Sequence, residues 1–276
     1  MKPPPFEYER PADLATVIAL VRREDIAVKI LAGGQSLGPM LNMRLVRPDL
    51  IVDITGLDQL KRYEKKRDYL EIGACVTHAD IEDGRVPDVT SGAMASVASG
   101  IAYRAVRNRG TIGGSLTNAD PSADWVSALA ALGAEAVLRG PREARTLPVE
   151  SYVTGALETA LAADELLEAI RVPMHSKDAR WGYYKVCRKT GEYAHAIGAV
   201  LLDRTRNVFR TVIGATERKP LVLADARALF NGSDNLANFE RGAADSMLAS
   251  SGMSDPLDRQ IHVVALARAI QQAASA

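Results

Sequence analysis

The chain has 276 residues, room for one large or two modest domains, and 47% of them are hydrophobic, which excludes a disordered chain. Lys plus Arg and Asp plus Glu both number 34, so the chain lacks the basic excess of a nucleic-acid binder. Two cysteines cannot supply the four thiolates of an iron–sulfur cluster, and four scattered histidines show no zinc spacing.

Residues 1 to about 55 read β-α-β-loop-α-β. Phe6-Glu7-Tyr8 is strand-like. Leu14, Val17, Ile18 and Val21 recur at helical spacing within Ala12 to Arg23, and Leu50 to Ile54 reads as a buried strand. From about 56 to 175 a second unit follows. Lys61 to Arg67 reads as a solvated charged loop. Tyr69 to Ile72 is a strand, and Thr77 caps a short helix with Asp80 three residues on. Val97 to Val106 reads as one helix with Arg104 and Arg107 on one face. Asp124 to Leu132 is an apolar helix, and Ala134 to Leu138 is a strand. Glu165 to Val172 is a strand closed by Pro173.

Near Pro173 to Arg180 the texture changes. Tyr183 to Cys187, Ala196 to Leu202 and Val208 to Ile213 predict a three-stranded antiparallel meander. Ala224 to Phe230, Leu236 to Ala249 and Asp258 to Ala274 read as helices, broken at Asn231-Gly232-Ser233 and Ser250-Ser251-Gly252. No run of about 18 apolar residues reads as a membrane span. The start, Met1 to Pro5, lacks a signal-like apolar stretch, and the cysteine-poor composition suits a cytoplasmic protein.

Two stretches carry chemistry. In Leu31-Ala32-Gly33-Gly34-Gln35-Ser36-Leu37, a glycine pair follows the β-branched segment Val28 to Ile30 and precedes a helix-like run, with Ser36 placed to cap that run. Glycines there allow positive φ and let backbone N–H groups converge on an anion. Neither a Walker loop nor the Gly-x-Gly-x-x-Gly fingerprint is present. Thr111-Ile112-Gly113-Gly114-Ser115 repeats the pattern, followed by Asn118, Asp120 and Asp124. Thr111 and Ser115 are candidate phosphate donors through hydroxyl and backbone. Asp120 and Asp124 can accept from sugar or ribityl hydroxyls. The alternative role of Asp124 is to cap the helix from Trp125. Arg104, Arg107 and Arg109 precede the second glycine pair and face either the phosphates, a partner or solvent.

The pair "AGGQSLGPMLNMRL" and "TIGGSLTNADPSAD" resembles the two flavin-binding motifs of the medium, FAD-carrying subunit of molybdenum hydroxylases, the family of xanthine and carbon monoxide dehydrogenase flavoproteins. The resemblance runs from Phe6 to about Ile270, more loosely in the last third. It implies an α+β fold of the vanillyl-alcohol-oxidase/UDP-MurNAc-reductase type over residues 1–175, with subdomains of about 1–55 and 56–175. A C-terminal flavoprotein domain, 176–276, would carry the three-stranded antiparallel sheet and helices. It also implies an FAD pyrophosphate between the two glycine loops and Asp124 on the ribityl chain. By the same resemblance, Leu167 packs on the flavin ring and Tyr193 gates it. Lys185, twelve residues after Pro173, approaches the ring, where its charge would stabilise anionic reduced flavin. The implied cofactor-binding set is then Ala32, Gly33, Gly34, Gln35, Ser36, Leu37, Thr111, Gly113, Gly114, Ser115, Asn118, Asp120, Asp124, Leu167, Lys185 and Tyr193, with no catalytic or metal-ligating residue in this chain. The implied partners are a large molybdopterin subunit and a small two-iron–two-sulfur subunit, assembled as a dimer of heterotrimers. Two other readings stay open: a stand-alone FAD oxidase of the same fold, and a non-enzymatic nucleotide-binding scaffold.

Overall fold

The structure is a computed structural model and describes residues 2–276. The first unit alternates strand and helix as its hydrophobic periodicity requires: β1 (Glu7–Glu9), α1 (Leu14–Val21), β2 (Val28–Leu31), α2 (Leu37–Asn42) and β3 (Leu50–Asp53). The strands form a parallel sheet in the order β1-β3-β2. Asp13 starts α1 by accepting from the Thr16 amide at 2.8 Å. Val17 and Ile18 of α1 bury against Leu50, Val52 and Ile54. Parallel pairing places the C-terminal ends of β2 and β3 side by side, and the first glycine loop leaves β2 at that edge.

The second unit comprises β4 (Tyr63–Lys65), β5 (Tyr69–Gly73), α3 (His78–Glu82), α4 (Ala93–Ser99), α5 (Arg104–Arg107), α6 (Ile112–Asn118), α7 (Asp124–Ala131), β6 (Glu135–Arg139), β7 (Arg145–Pro148), α8 (Val149–Tyr152), β8 (Val153–Gly155), β9 (Glu158–Thr159) and β10 (Leu166–Pro173). Its main sheet is antiparallel in the order β4-β5-β10-β6-β7. The charged stretch read as a loop contains β4, an exposed edge strand paired with β5. Its charged side chains suit an edge that must not recruit another strand. The expected Thr77–Asp80 capping box is present, with both reciprocal bonds made. The helix expected over Val97 to Val106 is two helices, α4 and α5. Between them runs a turn at Gly100–Tyr103 with Ala102 at φ 43°. Every residue of α7 is buried, because it lies between this unit and the next sheet.

The last unit is β11 (Arg180–Val186), β12 (Ala196–Asp203), β13 (Val208–Gly214), β14 (Leu221–Leu223), α9 (Arg241–Ser250) and α10 (Pro256–Ser275). The meander is antiparallel as expected, but it has four strands, not three: short β14 extends it beside β13. The two helices expected before residue 250 are shorter than predicted. Single 3-10 turns occupy Ala226–Leu229 and Leu236–Asn238, and the α-helical part starts at Arg241. One face of the sheet packs on α10 through Val200, Leu202 and Leu266, with Phe209 and Phe230 tilted together at 4.7 Å. The opposite face contributes Ala199 and Val212 to the core around α7. Among the described residues no helix is long and apolar enough to cross a membrane.

Candidate nucleotide-binding cleft

A cleft of about 640 Å³ opens where the three units meet, within the range of cofactor pockets. Both glycine loops line it, and so do Asn118, Asp120, Asp124, Leu167 and Tyr193. Every residue of the expected cofactor-binding set lines the cleft except Lys185.

The two glycine loops do different work. In the first, Gly34 takes φ +72°, and the side-chain amide of Gln35 donates to the Gly33 carbonyl at 3.0 Å, bracing the turn. Among the described residues, the amides of Gly34, Gln35, Ser36 and Leu37 donate to no acceptor within the protein. Four consecutive free N–H groups at a cleft wall form a nest for an anion. Ser36 stands before α2 as expected, but its side chain makes no cap bond, so its hydroxyl remains free for other partners.

The second glycine pair is not a nest. It lies in the first turn of α6, where Thr111 caps the helix by accepting from the Gly114 amide at 3.0 Å. The amides of Ile112 and Gly113 donate to Val76 and Ala74 carbonyls, and that of Ser115 to the Thr111 carbonyl. The expected backbone donation from this loop is therefore replaced by its hydroxyls. These glycines serve close approach instead. A methyl group at Gly113 would lie 2.4 Å from the Ala74 methyl, and one at Gly114 2.7 Å from the Thr111 hydroxyl. Gly33 is equally constrained, since a methyl there would lie 2.2 Å from the Arg109 carbonyl oxygen. The glycines thus lock the two loops face to face.

Asp124, also on the cleft wall, is the first residue of α7. It does not cap the helix, and no side chain does. Its carboxylate, 7% exposed, accepts from the Tyr183 hydroxyl at 2.7 Å and from Lys185 Nζ at 3.0 Å. Burial pushes the Asp124 carboxyl upward, and the Lys185 charge opposes that. Burial and the Asp124 charge hold the Tyr183 phenol well above its ordinary value. The Lys185 ammonium also donates to the Gly100 carbonyl at 2.9 Å. The Lys185 ammonium is thus ion-paired with Asp124, which lines the cleft, while Lys185 itself does not line it. Tyr183 was absent from the expected set. Its signal was the i, i+2 spacing to Lys185, which puts both side chains on one face of a strand.

Tyr193 is 64% exposed at the cleft mouth. Its phenol is raised by shielding at the cleft wall and by the charge of Asp120, while the Ser36 hydroxyl draws it down. His78, also on the cleft, is structural: its Nδ1 accepts from Trp125 Nε1 at 3.0 Å. Burial pulls its pKa down to about 4. Since the unfolded value is higher, the unfolded chain binds more protons between those values, so stability present above pH ~6.5 falls as pH drops toward 4. The loss from His78 should reach roughly 2–3 kcal/mol. Urea unfolding at pH 7.5 and 5.0 measures it. His78→Asn, which keeps an acceptor for Trp125, should flatten the slope.

A cleft lined by free amides and by carboxylates suits a nucleotide cofactor. Residues 4–175 match the family described as the FAD binding domain in molybdopterin dehydrogenase, and the chain belongs to that family. It is similar to the caffeine dehydrogenase subunit beta of Pseudomonas sp. strain CBB1, 36% identical over 79% of this chain and 71% of that one. It is also similar to the nicotine 6-hydroxylase medium subunit of Paenarthrobacter nicotinovorans, 34% identical over 92% and 89%. In structure it matches a chain of carbon monoxide dehydrogenase from Hydrogenophaga pseudoflava with a TM-score of 0.85 and 29% identity, covering 100% of this chain and 99% of that one.

Gly34→Ala tests the nest. The added methyl meets only Leu31 Cδ1 at 3.0 Å, so the fold should persist, but a side chain disfavours φ +72° and turns the amides. FAD affinity of the flavin-free protein should fall at least about tenfold, read by fluorescence titration, with a melting loss of a few degrees.

Proposed function

We propose that this chain is the FAD-carrying electron-transfer subunit of a molybdenum hydroxylase. It would take electrons from iron–sulfur clusters of a small subunit and pass them to an external acceptor. The observation that carries the reading is the run of four unpartnered amides, Gly34 to Leu37, in the same cleft as Asp120 and Asp124. The nest suits a pyrophosphate, and the carboxylates suit the hydroxyls of the ribityl and ribose groups. Bound FAD supplies the redox chemistry. The chain's own residues would hold it, Leu167 and Tyr193 beside the ring, while Lys185 pairs with Asp124 and orients it.

Residues 1–175 form the FAD-binding domain, of the vanillyl-alcohol-oxidase/UDP-MurNAc-reductase type, and 176–276 the C-terminal flavoprotein domain; the family match ending at 175 supports this division. Among the described residues no cluster of His, Cys, Asp or Glu can hold a metal. The substrate-oxidising molybdopterin and the two-iron clusters reside in a large and a small partner; the names medium subunit and medium chain that relatives carry support this. The assembly is a dimer of heterotrimers in the cytoplasm, where the two unpaired thiols Cys75 and Cys187 are at home.

The test is to tag the chain in its native cells and purify it. Molybdenum and iron should co-purify with two further polypeptides, and the chain separated from them should keep FAD but oxidise no organic substrate. Turnover by the separated chain would support a stand-alone oxidase and contradict the proposal.

A further inference from the structure

We infer that Arg107 is a positioning residue for the cleft: clamped by Glu82, it fixes the Gly100–Tyr103 turn, and through it the Gly191–Tyr193 segment at the cleft mouth. The inference deepens the FAD reading and rests on it. The Arg107 side chain is only 12% exposed. Its Nε and Nη2 donate to the two Glu82 oxygens at 2.8 and 2.9 Å. Its Nη1 donates to the carbonyls of Ile101 and Ala102 at 2.9 and 3.0 Å. Those carbonyls converge because Ala102 takes φ 43°, a left-handed conformation that alanine seldom adopts unaided. The bidentate pair with Glu82 aims the guanidinium, and the remaining nitrogen holds the strained turn.

The far side of the turn is gripped by the C-terminal unit. Ile101 bridges Gly191 in parallel. Gly191 has φ +91°, and a methyl there would lie 2.6 Å from the Ala102 carbonyl oxygen. Lys185 takes the Gly100 carbonyl. Ile101, Ala102 and Tyr103 line the cleft, as do Gly191, Glu192 and Tyr193. Arg107 does not line it, so it acts through the turn. Arg104 is the natural control. It shares Glu82 and adds Asp83, but it donates to no carbonyl of the turn. Lysine cannot replace Arg107, because one ammonium has three donors for four bonds.

The experiment uses the full chain freed of flavin, with FAD as probe, at a temperature where circular dichroism shows each variant folded. Arg107→Met should bind FAD at least about tenfold more weakly than the parent, Arg107→Lys about fivefold, and Arg104→Met within about twofold. Amide exchange at Ile101–Tyr103 and Gly191–Tyr193 should quicken in the Arg107 variants alone, a local response that a general loss of stability would not confine there. If Arg107→Met does not fold, Arg107→Lys carries the test. Parental affinity and exchange in folded Arg107→Lys, or an equal loss in Arg104→Met, overturns the inference. A parent chain that binds no FAD overturns the cofactor reading instead, while the exchange comparison still judges the role of Arg107 in the wall.

Discussion

Lys185→Met should lose about 3–5 kcal/mol of folding stability at pH 8, the cost of leaving a buried carboxylate without its cation. Asp124 and Lys185 side chains are 8% and 9% exposed, so water cannot take over. Tyr183 would remain the single side-chain donor to the carboxylate. Asp124 would then resist ionisation still more, and its folded pKa would rise further above the unfolded value. A raised carboxyl contributes stability below the unfolded pKa that is lost as pH rises through the folded pKa. The penalty should therefore shrink as pH falls from 8 to 5.5. Asp124→Asn combined with Lys185→Met should recover much of the loss, because the buried charge is gone with its partner. Urea unfolding of the parent, both single variants and the double variant reads this cycle. A loss below about 1 kcal/mol, or one independent of pH, would show that water reaches the pair.

Gly182→Val should cost roughly 3 kcal/mol or more through overpacking that side-chain rotation cannot relieve. A methyl built at Gly182 lies 1.8 Å from the Ala269 carbonyl oxygen and 3.0 Å from the Ala273 amide, both backbone atoms of α10. Gly198 makes the same allowance one strand over, 2.4 Å from Leu266 Cα. Helix α10 thus rests on the backbone of β11 and β12, and a side chain at either glycine must lift it off the sheet, pulling its Leu266, Ala269 and Ile270 away from the Val200 and Leu202 side of their core. Gly242→Ala, in α9 with nothing within 4 Å, should do the opposite and gain up to about 1 kcal/mol. Thermal unfolding of the three proteins should rank them in that order, and equal melting temperatures would contradict the packing account.

The larger strands and helices were legible because they follow local periodicity, the two glycine loops because of their chemistry, and Leu167 and Tyr193 through the family resemblance alone; the strand orders and the short strands β4, β7, β8 and β9 were not. The features that were not legible depended on partners far along the chain. The two Gly-Gly stretches look alike in sequence. Only the first keeps free amides, because Ala74 and Val76, distant in sequence, take those of the second. The apolar run from Val97 to Val106 reads as one helix, but Gly100 is a poor helix former, and Arg107 and Lys185 hold the carbonyls of Gly100, Ile101 and Ala102 in a turn. Lys185 was singled out through the resemblance, but its pairing with Asp124 depends on β11 lying beside the start of α7, far along the chain. Short β14 offered too few residues for a periodic signal.

If the Gly34–Leu37 amides recognise a pyrophosphate, the chain must prefer dinucleotide to mononucleotide flavin. FAD and FMN share the ring, the ribityl chain and one phosphate, so only the second phosphate and the adenosine separate them. Calorimetric titration of the flavin-free chain should give FAD at least about 100-fold tighter than FMN, a difference of about 2.7 kcal/mol. ADP should compete with FAD. Equal affinity for FAD and FMN, with no competition by ADP, would contradict a pyrophosphate nest at the first glycine loop.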